Sequence, residues 1–329
     1  MNIQEKIVEA IKKARRIIIF HHIAPDGDSL GSALALREMI EQLDHIEVID
    51  NVITSYVPEI YKYLPDIDKL KKVNDSSLYS SYDLGIAVDC ANKDRLGDAT
   101  ELFNNAKNRI SIDHHPTNLG FADIDWIDIF ASATGELIYN LINPLDVKLT
   151  REIAINIYTA ILTDTGGFKF ENTKAETFRI CADLIEFGAN PVDIYRNCYE
   201  IKSLPMVKLH ARVIDRAVVS EDKKIIYGVI TRKMLDELEA SDDFIDGITE
   251  SIRQIKGLEV ALVFKETLKK TTRVSFRSNE IDVCTIASFF GGGGHKLAAG
   301  CLIEKGLEEA IKDVIPVVEK QISRKEPCF

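Results

Sequence analysis

A chain of 329 residues, 46% of them hydrophobic, has enough apolar material for a sizeable core and a length that suits about two domains. Acids outnumber bases 52 to 41, a formal charge of −11 that argues against tracking long duplex DNA, while a small phosphate-bearing ligand held locally stays compatible. No stretch approaches the roughly 20 apolar residues of a membrane span. The six cysteines (Cys90, Cys181, Cys198, Cys284, Cys301, Cys328) form no CxxC pair of the kind found in zinc knuckles.

In chain order, MNIQEKIVEAIKKARR sets charged and apolar residues at helical spacing, unlike a signal peptide or an anchor, so a cytoplasmic protein without membrane association is expected. The run IIIF (17–20) then enters a Pro-Asp-Gly-Asp turn, followed by SLGSALALREMIEQL (29–43) with helical periodicity: strand, loop, helix. His22, Asp26 and Asp28 converge if Pro25 and Gly27 hold a tight turn, and two acids two residues apart can point at two ions. Gly31 is expected to allow close backbone approach at the helix start. Alone, PDGD reads equally well as a solvated turn.

Further apolar runs at 46–53, 84–89 (LGIAVD) and 109–113 (RISID) alternate with helix-like segments, the pattern of a largely parallel sheet with helices on both faces. Ligands in such folds gather beyond the carboxyl ends of the strands. Asp89 ends one run, and its two oxygens can bridge two cations; alone, it is a cap or turn former. Asp113-His114-His115 ends the next, and adjacent histidines there are compositionally unusual. Asp164, in LTDTGG, can complete a second ion, although a helix C-terminal turn favoured by Gly166 and Gly167 explains it as well. Oxygen and imidazole donors together suit Mn²⁺ or Mg²⁺ and phosphoester chemistry.

Around 184–205, Gly188 and Pro191 end one helix and start another. The expected organisation is an N-terminal α/β domain over 1–187, a helical connector over 188–214 and a smaller mixed α/β domain over 215–329, with strands at 224–231, 258–266 and 271–278. In the last domain GGGGH (291–295) exposes backbone N–H groups that can cradle a phosphate, His295 adds a donor, and Arg277 can clamp a further oxygen. A glycine run alone is a flexible loop.

His22-x-x-Pro25-Asp26-x-Asp28, Asp89, Asp113-His114-His115 and Asp164 resemble, in this order, the four motifs of the DHH phosphoesterase superfamily. The segment RSNEIDVCTIASFFGGGGHKLAAG (277–300) resembles the glycine-rich signature of the DHH-associated domain. The single pair of compact domains is similar to the nanoRNase and pAp phosphatase type. The resemblance implies that His22, Asp26 and Asp89 hold one divalent ion and Asp28, Asp89, His114 and Asp164 another, Mn²⁺ first and Mg²⁺ or Co²⁺ as alternatives, with Asp89 between them. It also implies that Asp113 supports an imidazole, that Asp89, Asp113, His114 and His115 form the catalytic group, and that His115, Arg277, Ser278, Gly291, Gly292, Gly293, Gly294 and His295 contact substrate. Many relatives of this type carry Arg directly after the Asp-Thr-Gly of the fourth motif, where Gly167 stands here.

The activity implied is hydrolysis, by a metal-bridging hydroxide, of short oligoribonucleotides to 5'-mononucleotides and of 3'-phosphoadenosine 5'-phosphate (pAp) to AMP. Two alternatives remain at this level, a signalling phosphodiesterase for cyclic di-AMP or pApA and a catalytically silent nucleotide-binding regulatory module. Short RNA, dinucleotides or nucleotide bisphosphates are the expected partners, and a homodimer is a compatible assembly.

Overall fold

The structure, a computed structural model, describes residues 2–240 and 247–323. The chain divides into two compact units, Met1–Ile201 and Lys202–Phe329. The expected connector, 188–214, is shared between them.

In the first unit α1 (Ile3–Lys13) opens with Asn2 and Glu5 in a reciprocal cap and leads into β1 (Arg16–Phe20). There follow α2 (Gly27–Glu41), β2 (Val48–Ile53), β3 (Lys71–Lys72), β4 (Leu84–Val88), α3 (Thr100–Asn104), β5 (Asn108–Asp113) and β6 (Ile124–Ile127). The unit closes with α4 (Thr134–Tyr139), α5 (Ile142–Leu145), α6 (Arg151–Asp164), α7 (Ala175–Glu186), α8 (Pro191–Tyr195) and a π-helical turn, Arg196–Glu200. All strand pairs are parallel, in the order β3-β2-β1-β4-β5-β6. This is the doubly wound arrangement, and its strand order reverses between β1 and β4.

The apolar runs are continuous because both sheet faces are covered. Ile17 and Ile19 of β1 join the larger core with α1, α2 and α6, while Ile18 and Phe20 point the other way, to a smaller core with Tyr82, Leu96 and Phe103. Both cores leave the carboxyl ends of β1, β4 and β5 to polar residues.

The second unit carries α9 (Leu204–Asp215), β7 (Val218–Val219), β8 (Ile225–Ile230), α10 (Arg232–Leu238), α11 (Ile248–Arg253), β9 (Val260–Glu266), β10 (Thr272–Ser278), α12 (Val283–Phe289), β11 (Gly293–His295), β12 (Ala298–Ile303) and α13 (Leu307–Ser323). Its sheet is mixed: β8 and β9 run parallel and the other neighbours antiparallel, in the order β11-β12-β10-β9-β8-β7. The glycine run is therefore no open loop. Gly293–His295 form an edge strand on β12.

Gly31 allows a close backbone approach, and the neighbour is another helix. It serves helix packing, because a Cβ there would lie 2.3 Å from the Asn156 carbonyl of α6. This contact fixes α2, with Asp26 and Asp28 at its start, against α6, with Asp164 at its end. Cys90, Cys181, Cys198, Cys284 and Cys301 are free thiols, and Cys328 lies outside the described residues. Among the described residues no helix is long and apolar enough to cross a membrane.

Gly31→Ala should force α2 and α6 apart and lower stability by about 1–3 kcal/mol, measured by urea denaturation. A wild-type midpoint would show that the close approach is not a constraint.

Candidate metal centre

The site lies where strand order reverses. β1 delivers His22 and, through the turn, Asp26 and Asp28; β4 delivers Asp89; β5 delivers Asp113, His114 and His115; α6 delivers Asp164. Asp26 is the N-cap of α2 and accepts the Ser29 N–H at 3.0 Å. Asp28, in the first turn of α2, accepts the Thr134 and Gly135 N–H groups of α4 at 2.7 and 2.9 Å, and the Ser32 hydroxyl at 2.9 Å. The Thr134 hydroxyl donates to Asp89 Oδ1 at 3.0 Å.

Three groups of side chains bring one ligand atom each within 4.8 Å of one another: His22 with Asp26 and Asp89; Asp28 with His114 and Asp164; and Asp89 with His114 and His115. All the metal-ligand candidates named from the sequence are thus brought together. Asp89 belongs to two of these groups, and its φ of 58° is left-handed, an uncommon conformation for a non-glycine residue.

The imidazoles are aimed by their outer nitrogens. His22 Nδ1 lies 2.8 Å from the Ile23 carbonyl and His114 Nδ1 3.3 Å from the Ala131 carbonyl, which turns both Nε2 atoms toward the carboxylates. His114 Nε2 is buried without a hydrogen-bond partner, yet stands 3.4 Å from Asp164 Oδ2, 3.7 Å from Asp28 Oδ2 and 3.8 Å from Asp89 Oδ1. A buried nitrogen lone pair facing three carboxylates is what a divalent cation needs, so the donor set fits such an ion.

Asp113 stands behind this set. Its Oδ1 accepts His115 Nδ1–H at 2.7 Å and the His114 N–H at 2.9 Å, and its Oδ2 accepts Asn118 Nδ2–H at 2.7 Å.

The electrostatics are those of crowded buried acids. Burial and the neighbouring Asp89, Asp164 and Asp26 carboxylates push Asp28 well above the usual range. Burial, reinforced by Asp89 and Asp26, pushes Asp164 up to about 7. Burial disfavours the charged imidazoles, but the carboxylates outweigh it: Asp26 and Asp89 push His22 up to about 10, and Asp113 with Asp89 pushes His115 up to about 9.

In the second unit the pairing register sets Arg277 opposite Ala298 and Ala298 opposite His295. One row across three strands therefore places a guanidinium and an imidazole on one face, either side of a small alanine. Two parts of the expected substrate grip change. Ser278 is buried and its hydroxyl donates to the Ile281 carbonyl, so it braces a turn instead of facing a ligand. The Gly291 and Gly292 N–H groups already donate to the Ser288 and Ala287 carbonyls of α12, at 3.0 and 2.9 Å, which shortens the expected backbone cradle.

Thr134, Gly135, Asn118 and Asn172, whose amide donates to the Asp164 carbonyl at 3.1 Å, were not anticipated from the sequence. A helix start in SATGE was the available signal for the first two. Nothing local marks the asparagines.

Residues 16–162 match the DHH family, N-terminal domain, and residues 222–324 match the DHHA1 domain. The chain is 30% identical over 296 residues to the probable bifunctional oligoribonuclease and PAP phosphatase NrnA of Streptococcus mutans, covering 89% of this chain and 91% of that protein. It is 28% identical over 332 residues to the bifunctional oligoribonuclease and PAP phosphatase NrnA of Thermus thermophilus, covering 98% and 95%. A crystal structure of an exopolyphosphatase-related protein from Bacteroides fragilis superposes with a TM-score of 0.88 at 25% identity, covering 99% of this chain and 96% of that one.

These shifts give a signed pH dependence. Without cations, Asp28 and Asp164 keep protons that the unfolded chain releases, so stability falls as pH rises from about 4 to about 7. The histidine contribution is complete below about 6.5 and is lost as pH climbs through their raised values, continuing the fall. Bound divalent cations take over from the protons, so the Tm gain on adding Mn²⁺ to chelator-treated protein should grow with pH in a melting series. A gain independent of pH would contradict this electrostatic account.

Proposed function

Because the chain belongs to the DHH family and carries a DHHA1 domain, we propose that it is a two-metal phosphoesterase that hydrolyses short oligoribonucleotides to 5'-mononucleotides and pAp to AMP. The observation that carries this reading is Asp89, one buried carboxylate belonging both to the group of His22 and Asp26 and to that of His114 and His115. The names of the relatives, each matched over most of its length, support the substrate class.

His22, Asp26 and Asp89 would hold one ion, and Asp28, Asp89, His114 and Asp164 the other, with Mn²⁺ favoured by mixed carboxylate and imidazole donors. When bound, such a pair lowers the pKa of water and neutralises charge on phosphoryl oxygens.

The chain's own groups do the remainder. The Thr134 and Gly135 N–H groups hold Asp28 in one orientation, and the Thr134 hydroxyl does the same for Asp89, so the carboxylates are preorganised. His115, its ring held through Nδ1 by Asp113 Oδ1, would give a proton from Nε2 to the leaving oxygen. In the second unit Arg277 and His295, on one row of the sheet either side of Ala298, would contact a phosphate group of the substrate.

The test is Mn²⁺-dependent release of AMP from pApA, with pAp, longer oligoribonucleotides and cyclic di-AMP in parallel. Asp89→Asn, which keeps a residue type that tolerates positive φ, should lose about 10²–10³-fold or more in turnover. Activity close to wild type in this variant would remove Asp89 from its role. Preference for the cyclic substrate would replace the oligoribonuclease reading by the signalling one.

His115→Gln should lower kcat by about 10²-fold or more with metal affinity retained, the signature of a proton donor. Lost metal affinity would instead make His115 a ligand.

A further inference from the structure

The chain after Asp164 is left-handed at three successive residues, Gly166, Gly167 and Phe168, with φ of 59°, 73° and 64°. Glycine adopts this freely, whereas Phe168 is strained there and must be held. It is: the Phe168 N–H donates to Thr165 Oγ1 at 3.1 Å, and its ring lies 6.1 Å from that of Tyr158 and 5.2 Å from that of Phe178. The Gly167 N–H donates to the Leu162 carbonyl at 2.8 Å.

The side of Gly167 that would carry a side chain faces two tyrosines. A Cβ there would stand 3.5 Å from Tyr195 and 3.7 Å from Tyr199, with Lys169 Cε at 4.0 Å, all ordinary contact distances. The two rings are 5.0 Å apart and inclined at 49°. Tyr195 ends α8 and is 42% exposed. Tyr199 belongs to the π-helical turn Arg196–Glu200, a rare conformation that recurs at functional sites, and its hydroxyl donates to the Leu162 carbonyl at 3.1 Å. That carbonyl lies two residues before Asp164. Two aromatic rings in contact with each other thus lie beside Gly167, with the exposed Lys169 ammonium near them, joined by a few bonds to a carboxylate of the metal centre.

We propose that these rings form a nucleobase-stacking subsite: one base of the substrate packs on Tyr195 and Tyr199 beside Gly167, and Lys169 meets the adjoining phosphate. Aromatic rings accept any base by its flat face, which suits the short oligoribonucleotides proposed as substrates. The ammonium matches a ligand that carries several negative charges. Glycine at 167 is then a specificity feature, since a side chain there would lie against both rings and compete with the base for them. The inference rests on the phosphoesterase reading and adds where the base is held.

The experiment compares pApA with the same bisphosphorylated linkage lacking its bases, under Mn²⁺, for wild type, Tyr195→Ala, Tyr195→Phe and Gly167→Asn. Asparagine is chosen because it tolerates positive φ while setting a side chain against the two rings. Tyr195→Ala and Gly167→Asn should each reduce the kcat/KM preference for the base-bearing substrate by roughly 10- to 100-fold, chiefly through KM, and Tyr195→Phe should keep it. An undiminished preference in both variants overturns the subsite and leaves the phosphoesterase intact. If wild type hydrolyses neither compound, that reading fails, and the subsite is judged by quenching of 2-aminopurine riboside 5'-phosphate on binding: loss of quenching in Tyr195→Ala supports it, and wild-type quenching overturns it.

Discussion

The arrangement of the first unit turns on one electrostatic problem, the crowding of Asp26, Asp28, Asp89 and Asp164 at the point where the parallel sheet reverses its strand order. Like charges in a buried site repel strongly, and burial removes the water that would screen them. Three things make the cluster tolerable. Backbone N–H groups at the start of α4 and the Ser29 N–H at the start of α2 are aimed at the carboxylates. The imidazoles of His22, His114 and His115 face them. What remains unbalanced is the positive charge that a divalent cation supplies, and the unpartnered His114 Nε2 faces the same space.

The packing of the unit serves this cluster. Helices α2 and α6 touch backbone to backbone at Gly31, which brings the acids that begin one helix to the acid that ends the other. Left-handed backbone at Asp89 and at Phe168 brackets the centre on two sides. Such conformations persist only where surrounding contacts over-determine them, and both positions are so held: Asp89 donates its N–H to the Ile112 carbonyl, and Phe168 is wedged between aromatic rings.

Much of this was legible in the sequence, and for identifiable reasons. Strand ends are marked by an apolar run stopping at an acid or imidazole, so Asp89 and Asp113 could be placed by inspection. The Asp26-to-Asp28 spacing and the doublet His114-His115 carry chemistry in adjacent residues. Asp113 was read as support for an imidazole, and it accepts from His115 Nδ1. Contacts made across the fold were not legible. Thr134 lies 45 residues from the Asp89 it holds, and nothing in SATG announces that partner. Ser278 looked like a phosphate contact beside Arg277, but its hydroxyl is turned to Ile281 by the turn that follows β10. The glycine run was read as a backbone cradle for phosphate, whereas Gly292 and Gly294 are needed for close approach to β12. The meeting of Gly167, Tyr195 and Tyr199 escaped because these residues come together only in three dimensions.

The central claim is that two cations share Asp89. Anomalous diffraction from crystals grown with Mn²⁺ tests it most directly. The account predicts two Mn²⁺ peaks about 3.5–4 Å apart with an Asp89 oxygen on each. A single peak, or a pair that Asp89 does not touch, would contradict it.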